Sequence, residues 1–128
     1  MPLTVTVDKK RRLIITHGSG VLTLEDVAAA RARARANPDF DPAFFELFDI
    51  RAVTEAKITG AEMARIAASS VLGPGVSRAF VVSNHKQHGL ARMFSGLAEP
   101  HDQRVDIFRD TAVAEAWLAA RQKATGNG

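Results

Sequence analysis

Between Pro42 and Asp49 the chain reads Phe44-Phe45-Glu46-Leu47-Phe48, a nearly continuous apolar run of strand length. A strand with one solvated face alternates polar and apolar residues. This run does not, so it predicts a central strand covered on both faces. Ala79-Phe80-Val81-Val82 repeats the signal further along. Two such strands confine the chain to layered α/β architectures, in which helices supply the cover.

The flanking segments fit that frame. Leu3, Val5 and Val7 alternate with Thr4 and Thr6, and the polar turn Asp8 to Arg12 leads into the apolar run Leu13 to Thr16, which predicts an opening β-hairpin. Gly18-Ser19-Gly20 then reads as a plain strand-to-helix turn, and Thr23 as the N-cap of a helix through about Ala36, with Glu25 and Asp26 favouring its positive end. After the central strand and a looser stretch from Asp49, Thr59 and Glu62 form a capping box for a helix to about Leu72. Gly73-Pro74-Gly75 ends it. Ser83-Asn84 caps a helix from about His85 to Ala98, Val105, Ile107 and Phe108 make a last short strand, and Asp110 caps a final helix. In that helix Val113, Ala116, Trp117 and Ala120 recur at helical spacing on one face.

Four helices, each preceded by a strand after the hairpin, predict an α/β fold with a mostly parallel sheet of about five strands and right-handed crossovers. A single domain over residues 1–124 with a frayed tail over 125–128 is expected from 128 residues. The loops leaving the carboxyl ends of such strands share one edge, where open α/β sheets usually bind ligands. That edge would gather Gly18-Ser19-Gly20, the stretch Asp49 to Thr59, Ser83-Asn84-His85 and Arg109-Asp110.

Composition removes several function classes. With no Cys, disulfide frameworks, thiolate metal sites and cysteine nucleophiles are excluded together. Met1-Pro2-Leu3-Thr4 lacks the basic start and apolar stretch of a signal peptide, and no apolar run approaches the ~20 residues of a membrane span. A soluble, cytoplasmic protein without a transmembrane segment is expected. Lys and Arg together number 17 against 14 Asp and Glu, a net charge of +3, which is a weak argument for nucleic acid. The basic residues cluster at Lys9-Lys10-Arg11-Arg12 and at Arg31, Arg33 and Arg35, but a two-residue helical step turns about 200°, so those three Arg form no single stripe. Solvated surface is the simpler reading of both clusters. With no Tyr, and most Phe inside apolar runs, there is no platform for stacking bases, and no nucleic-acid partner is expected.

The runs Phe45-Glu46-Leu47-Phe48-Asp49-Ile50-Arg51 and Ala79-Phe80-Val81-Val82, with the order of elements, resemble the STAS or SpoIIAA-like class. Gly89-Leu90-Ala91-Arg92-Met93-Phe94 and the ending Ile107-Phe108-Arg109-Asp110 with Ala114-Glu115-Ala116-Trp117-Leu118 resemble the small bacterial SpoIIAA-like proteins in particular. The resemblance covers nearly the whole chain and rests on diffuse apolar patterns, which specify fold better than activity. It implies a wound βα sheet shared by anti-anti-sigma factors and by lipid-binding domains of the SEC14 (CRAL-TRIO) type. In the former group a Ser in an Asp-Ser-Ser-Gly type loop after the third strand is phosphorylated. Asp49 matches that Asp, but Ile50-Arg51-Ala52-Val53 follows, so the acceptor Ser and the Gly are missing. Thr54 and Thr59 are the substitute phosphoacceptor candidates, and Thr59 already has a sufficient role as a cap.

The candidate partner or ligand edge therefore comprises Asp49, Arg51, Thr54, Ser83, Asn84 and His85. Met93, Phe94 and Leu97, beside Gly96, are candidates for an apolar pocket under the helix Asn84 to Ala98, although core packing explains the same residues. His85 and His88 stand one turn apart, yet no third ligand is local, so no metal is expected. Gly18-Ser19-Gly20 lacks the Lys-Ser/Thr ending of a phosphate-binding loop, and no nucleophile elbow is present. The expectation is a non-enzymatic regulatory or interaction module without a cofactor, binding a protein partner or small ligand at the carboxyl edge, with a homodimer as one arrangement. The alternative is a carrier or sensor of an apolar, lipid-like ligand, and an enzyme stands third.

Overall fold

The computed structural model describes residues 2–125. Of the tail expected to fray, residues 126–128 lie outside that range, and Thr125 is the C-cap of the last helix. Five strands and four α-helices follow one another as β1 (Leu3–Asp8), β2 (Leu13–Thr23), α1 (Leu24–Ala36), β3 (Phe45–Lys57), α2 (Gly60–Ala68), β4 (Ser77–Val81), α3 (His85–Ala98), β5 (Arg104–Phe108) and α4 (Thr111–Ala124). They form one sheet in the order β1-β2-β3-β4-β5, antiparallel between β1 and β2 and parallel elsewhere. Because each crossover moves one strand further in the same direction, a constant hand puts its helices on the same side. Accordingly Ala30 of α1, Met63 and Ile66 of α2, and Ala91 and Phe94 of α3 share one core cluster with Ile50, Phe80 and Val82 of the sheet. On the opposite face, Ala114 and Leu118 of α4 pack with Phe45, Leu47, Ala79 and Val81. Phe45 and Leu47 thus face α4, while Glu46, Phe48 and Ile50 alternate onto the other side.

The helix starts are set by local chemistry. Thr23 and Asp26 cap α1 reciprocally, as do Thr59 and Glu62 at α2. Asn84 Oδ1 accepts from the backbone N–H of Gln87 at 2.8 Å, and Asp110 Oδ1 from that of Val113 at 3.1 Å. Each cap satisfies a backbone donor that the first turn leaves without an intrahelical partner.

Several expectations are corrected. Gly18-Ser19-Gly20 is not a turn: β2 continues through it to Thr23, paired with β3 through two register shifts, between His17 and Ser19 and between Gly20 and Val21. Gly20 has a φ of 65°, which suits the irregularity, and a Cβ on Gly18 would lie 2.9 Å from Val53 Cγ2. The looser stretch after Asp49 is likewise strand, because β3 runs on to Lys57 against β2, well past its last pairing with β4 at Asp49. Helix α2 stops at Ala68 rather than near Leu72, where Ser69 Oγ turns back to donate to the Arg65 carbonyl at 2.6 Å. In α4 the buried positions are Ala114 and Leu118, with Trp117 half-buried against Phe108; Val113, Ala116 and Ala120 are exposed, so the packing face is rotated from the expected one.

Candidate functional site

The sheet face beneath α1, α2 and α3 is not uniformly apolar. Glu46 in β3 lies between Ile14 of β2 and Arg78 of β4, and the pairing puts the carboxylate and guanidinium side by side inside the protein. Arg78 Nη1 donates to Glu46 Oε1, Nη2 to Ser70 Oγ and Nε to Gln103 Oε1 at 3.0 Å. Thr16 Oγ1 donates to the second Glu46 oxygen at 2.9 Å, and Gln103 Nε2 donates to the Leu72 carbonyl at 3.3 Å. Every polar side-chain atom fully buried here has a partner, which is the condition for keeping a buried ion pair at tolerable cost.

Beside this cluster the helices do not close on the sheet. A cleft of about 90 Å³ lies between them, with an apolar wall that includes Val27, Ile58, Ile66, Phe80, Leu90 and Phe94 and with Thr16, Glu46, Arg78 and Arg31 at its polar part. Phe80 stacks on Phe94 with centroids 5.5 Å apart, and Phe48 tilts against Phe80 at 5.1 Å. The Arg78 guanidinium sits 5.7 Å from the centre of the Phe94 ring. Arg31, from α1, donates through Nη1 to the carbonyl and hydroxyl oxygens of Ser69, at 3.1 and 3.3 Å. Burial pushes its pKa down to about 10; Arg78 pushes the same way, against the pull of Glu46, and Arg35 adds to the depression.

The carboxyl edge holds a second polar group. Arg51 grips Asp49 through Nε on Oδ1 at 3.0 Å and Nη2 on Oδ2 at 2.7 Å, its backbone N–H adds a bond to Oδ1 at 3.0 Å, and Nη2 also donates to Thr111 Oγ1 at 3.0 Å. His17 Nδ1 stands 3.7 Å from Asp49 Oδ2. Burial raises the Asp49 pKa, but the hydrogen bonds and charge of Arg51, with His17, outweigh it and hold the carboxyl below its usual range. Arg51 is raised in return, first by its bond to Asp49.

Of the residues singled out at this edge, Asp49 and Arg51 are joined directly. Ser83 meets them through Gln87: the Ser83 N–H and hydroxyl donate to Gln87 Oε1 at 2.7 and 3.0 Å, and Gln87 Nε2 donates to the carbonyls of Arg51 and Val53, both at 2.9 Å. Asn84 is occupied as a cap and His85 is exposed in the first turn of α3. Thr54 is exposed within the extension of β3, and the Thr59 hydroxyl accepts from the Glu62 N–H at 3.1 Å. Phe94 lines the cleft, Leu97 is half-buried in the same core, and Met93 is 49% exposed. The opening lies beneath α1 and α2 as well as α3, so the apolar space is displaced from the one expected under α3 alone. Among the described residues no three His, Asp or Glu side chains form a group able to hold a metal ion, and no helix is long and apolar enough to cross a membrane.

Sequence reasoning passed over Glu46, Arg78, Gln87 and the cleft-lining role of Arg31. Glu46 was visible as the one charge in its apolar run and Arg78 as the charge opening the next strand, but only the register shows that they meet.

No family model matches the chain, and no curated protein does. Among solved structures, an uncharacterised protein of the DUF3478 family from Shewanella loihica PV-4, described as having a SpoIIAA-like fold, superposes with a TM-score of 0.65 at 15% identity, covering 91% of this chain and 93% of that one. At that identity the likeness is one of fold. The chain has the SpoIIAA-like fold that its sequence resemblance implied.

Proposed function

We propose that the protein is a non-enzymatic module that carries or senses a small apolar ligand, held between the sheet and helices α1 to α3. The observation that carries this reading is the cleft of about 90 Å³ with its aliphatic and aromatic wall. Native cores close to crystal-like density, and an apolar space of this size is where a protein forfeits dispersion contacts unless something fills it. An apolar cavity of about 150 Å³ takes benzene, so this one corresponds to a tail of about four carbons. Titration with 1-pentanol, followed by the NMR shifts of Ile66, Leu90 and Phe94, tests the reading. Saturable shifts at those residues are expected, and they should weaken at least fivefold in Ala30→Leu, which fills the cleft from α1. A wild-type spectrum unmoved by the alcohol would sink it.

A second reading is favoured by the Asp49–Arg51–Thr111 group: a protein partner docking on the carboxyl edge, with Thr54 and His85 exposed beside it. Its weakness is physical. Each hydrogen-bonding group of Asp49 and most of those of Arg51 are already engaged within the chain, so a partner would have to displace bonds rather than complete them.

A further inference from the structure

The charges at the polar part of the cleft do not cancel. Glu46 is matched by Arg78, whose three guanidinium nitrogens are all engaged, with Glu46, Ser70 and Gln103. Arg31 is different. It lines the cleft and is half-buried, it meets no carboxylate within ion-pair distance among the described residues, and its bonds go to the neutral oxygens of Ser69 through Nη1 alone. Its Nε and Nη2 have no acceptor among the described residues. Two guanidiniums and one carboxylate therefore leave a surplus of one positive charge, carried by a fork whose free side is available to an incoming group.

We propose that the ligand of this cleft is a monoanion with a short apolar tail, an aliphatic carboxylate of about five carbons, whose head pairs with Arg31 while the tail lies against Phe80, Leu90 and Phe94. The proposal rests on the reading of the cleft as an apolar-ligand site and adds the charge of the ligand to it. The depressed pKa of Arg31 supports the same direction: burial and the neighbouring Arg78 penalise the cation, and the charge of a bound anion offsets them. At neutral pH Arg31 is still charged and able to pair. Planar, two-pronged donation suits a carboxylate better than a single ammonium would. Glu46 does not repel such a head strongly, since Arg78 and Thr16 already occupy both of its oxygens.

Pentanoate and 1-pentanol share a tail and differ in the head, so the pair isolates the charge. Titrated by NMR at pH 7, pentanoate is expected to bind at least tenfold more tightly than the alcohol, as charge-assisted bonds to a partly buried guanidinium allow. Arg31→Gln should bring the two affinities within twofold of each other. Arg31→Lys, which keeps the charge and loses the fork, should retain a smaller preference for the acid. Equal binding of both compounds by the wild type overturns the anion inference and leaves the apolar site standing. A preference that survives Arg31→Gln overturns the role of Arg31. If neither compound shifts the cleft residues, the inference falls together with the reading it rests on.

Discussion

The two faces of the central strands are built from the same stretch of chain and obey different rules. Toward α4 the sheet presents Phe45, Leu47, Ala79 and Val81, closed by Ala114 and Leu118, and the small side chains at Ala79 and Ala114 let the helix approach until both are fully buried. Toward α1–α3 the alternate residues of the same strands include Thr16, Glu46 and Arg78, all buried, beside a cleft. The α4 face keeps its buried polar groups to the two ends of β4, where Ser77 meets Arg121 and Asp49, paired with Val81, meets Arg51. The other sets charge and space into its core, and charge in a core destabilises relative to a well-packed apolar replacement of the same shape. The proposed binding role falls on the face that sets its buried ion pair beside open space.

The largest effect should come from splitting the buried pair. Glu46→Ala leaves the Arg78 guanidinium, only 5% exposed in its side chain, without a counter-charge, and should cost about 3–5 kcal/mol in urea unfolding. Replacing both members, as in Glu46→Leu with Arg78→Met, should recover at least about 2 kcal/mol of that loss. If the double variant is no more stable than Glu46→Ala, the pair is part of the framework, and the contrast between the two faces loses its meaning.

An intermediate effect separates the faces by volume. Ala79→Val adds two methyl groups to a position with no exposure on the α4 side and should cost about 1–3 kcal/mol through overpacking, although valine suits a strand. Ala30→Val adds the same groups on the cleft side. Here the apolar area gained, about 0.8 kcal/mol per buried methylene, is set against a helix-propensity loss of roughly half a kcal/mol, so stability should stay within about 1 kcal/mol of wild type. Equal losses at the two positions, read by thermal and urea unfolding, would mean that both faces are equally full.

Much of this asymmetry was hidden in the sequence for identifiable reasons. The strands and helix starts were legible because they depend on local signals: an apolar run for β3 and β4, a capping residue for each helix. The strand ends were not. Gly18-Ser19-Gly20 and Thr54-Glu55-Ala56-Lys57 look like loop, and they are strand because β2 and β3 continue to pair with each other beyond the end of β4. Glu46 and Arg78 stand 32 residues apart, so no local pattern links them. Arg31 sits in a run of alternating Ala and Arg that looks solvated throughout, and Arg31 lines the cleft while Arg33 donates to the Leu3 carbonyl at 2.7 Å. Asp49 and Arg51, by contrast, are two apart on one strand, and their association was within reach of a reading by sequence alone.

The smallest effect belongs to the Asp49–Arg51 pair, whose arginine is open to water, and sets the Glu46–Arg78 pair in proportion. Arg51 is 43% exposed in its side chain, so water screens it, and Asp49→Asn should cost only about 1 kcal/mol at pH 7. The Asp49 pKa is lower in the folded protein than in the unfolded chain, where it is about 3.9. The folded state therefore favours the ionised form, and the stabilisation is complete above the unfolded value and disappears as the pH falls through the folded one. The difference in stability between wild type and Asp49→Asn should then be constant from pH 8 to about 5 and shrink steadily below about 4. A difference that stays constant down to the acid transition would assign the loss to the geometry of the Asn amide rather than to the charge. The edge would then be held by shape, and the contrast with the charged interior of the other face would be wider still.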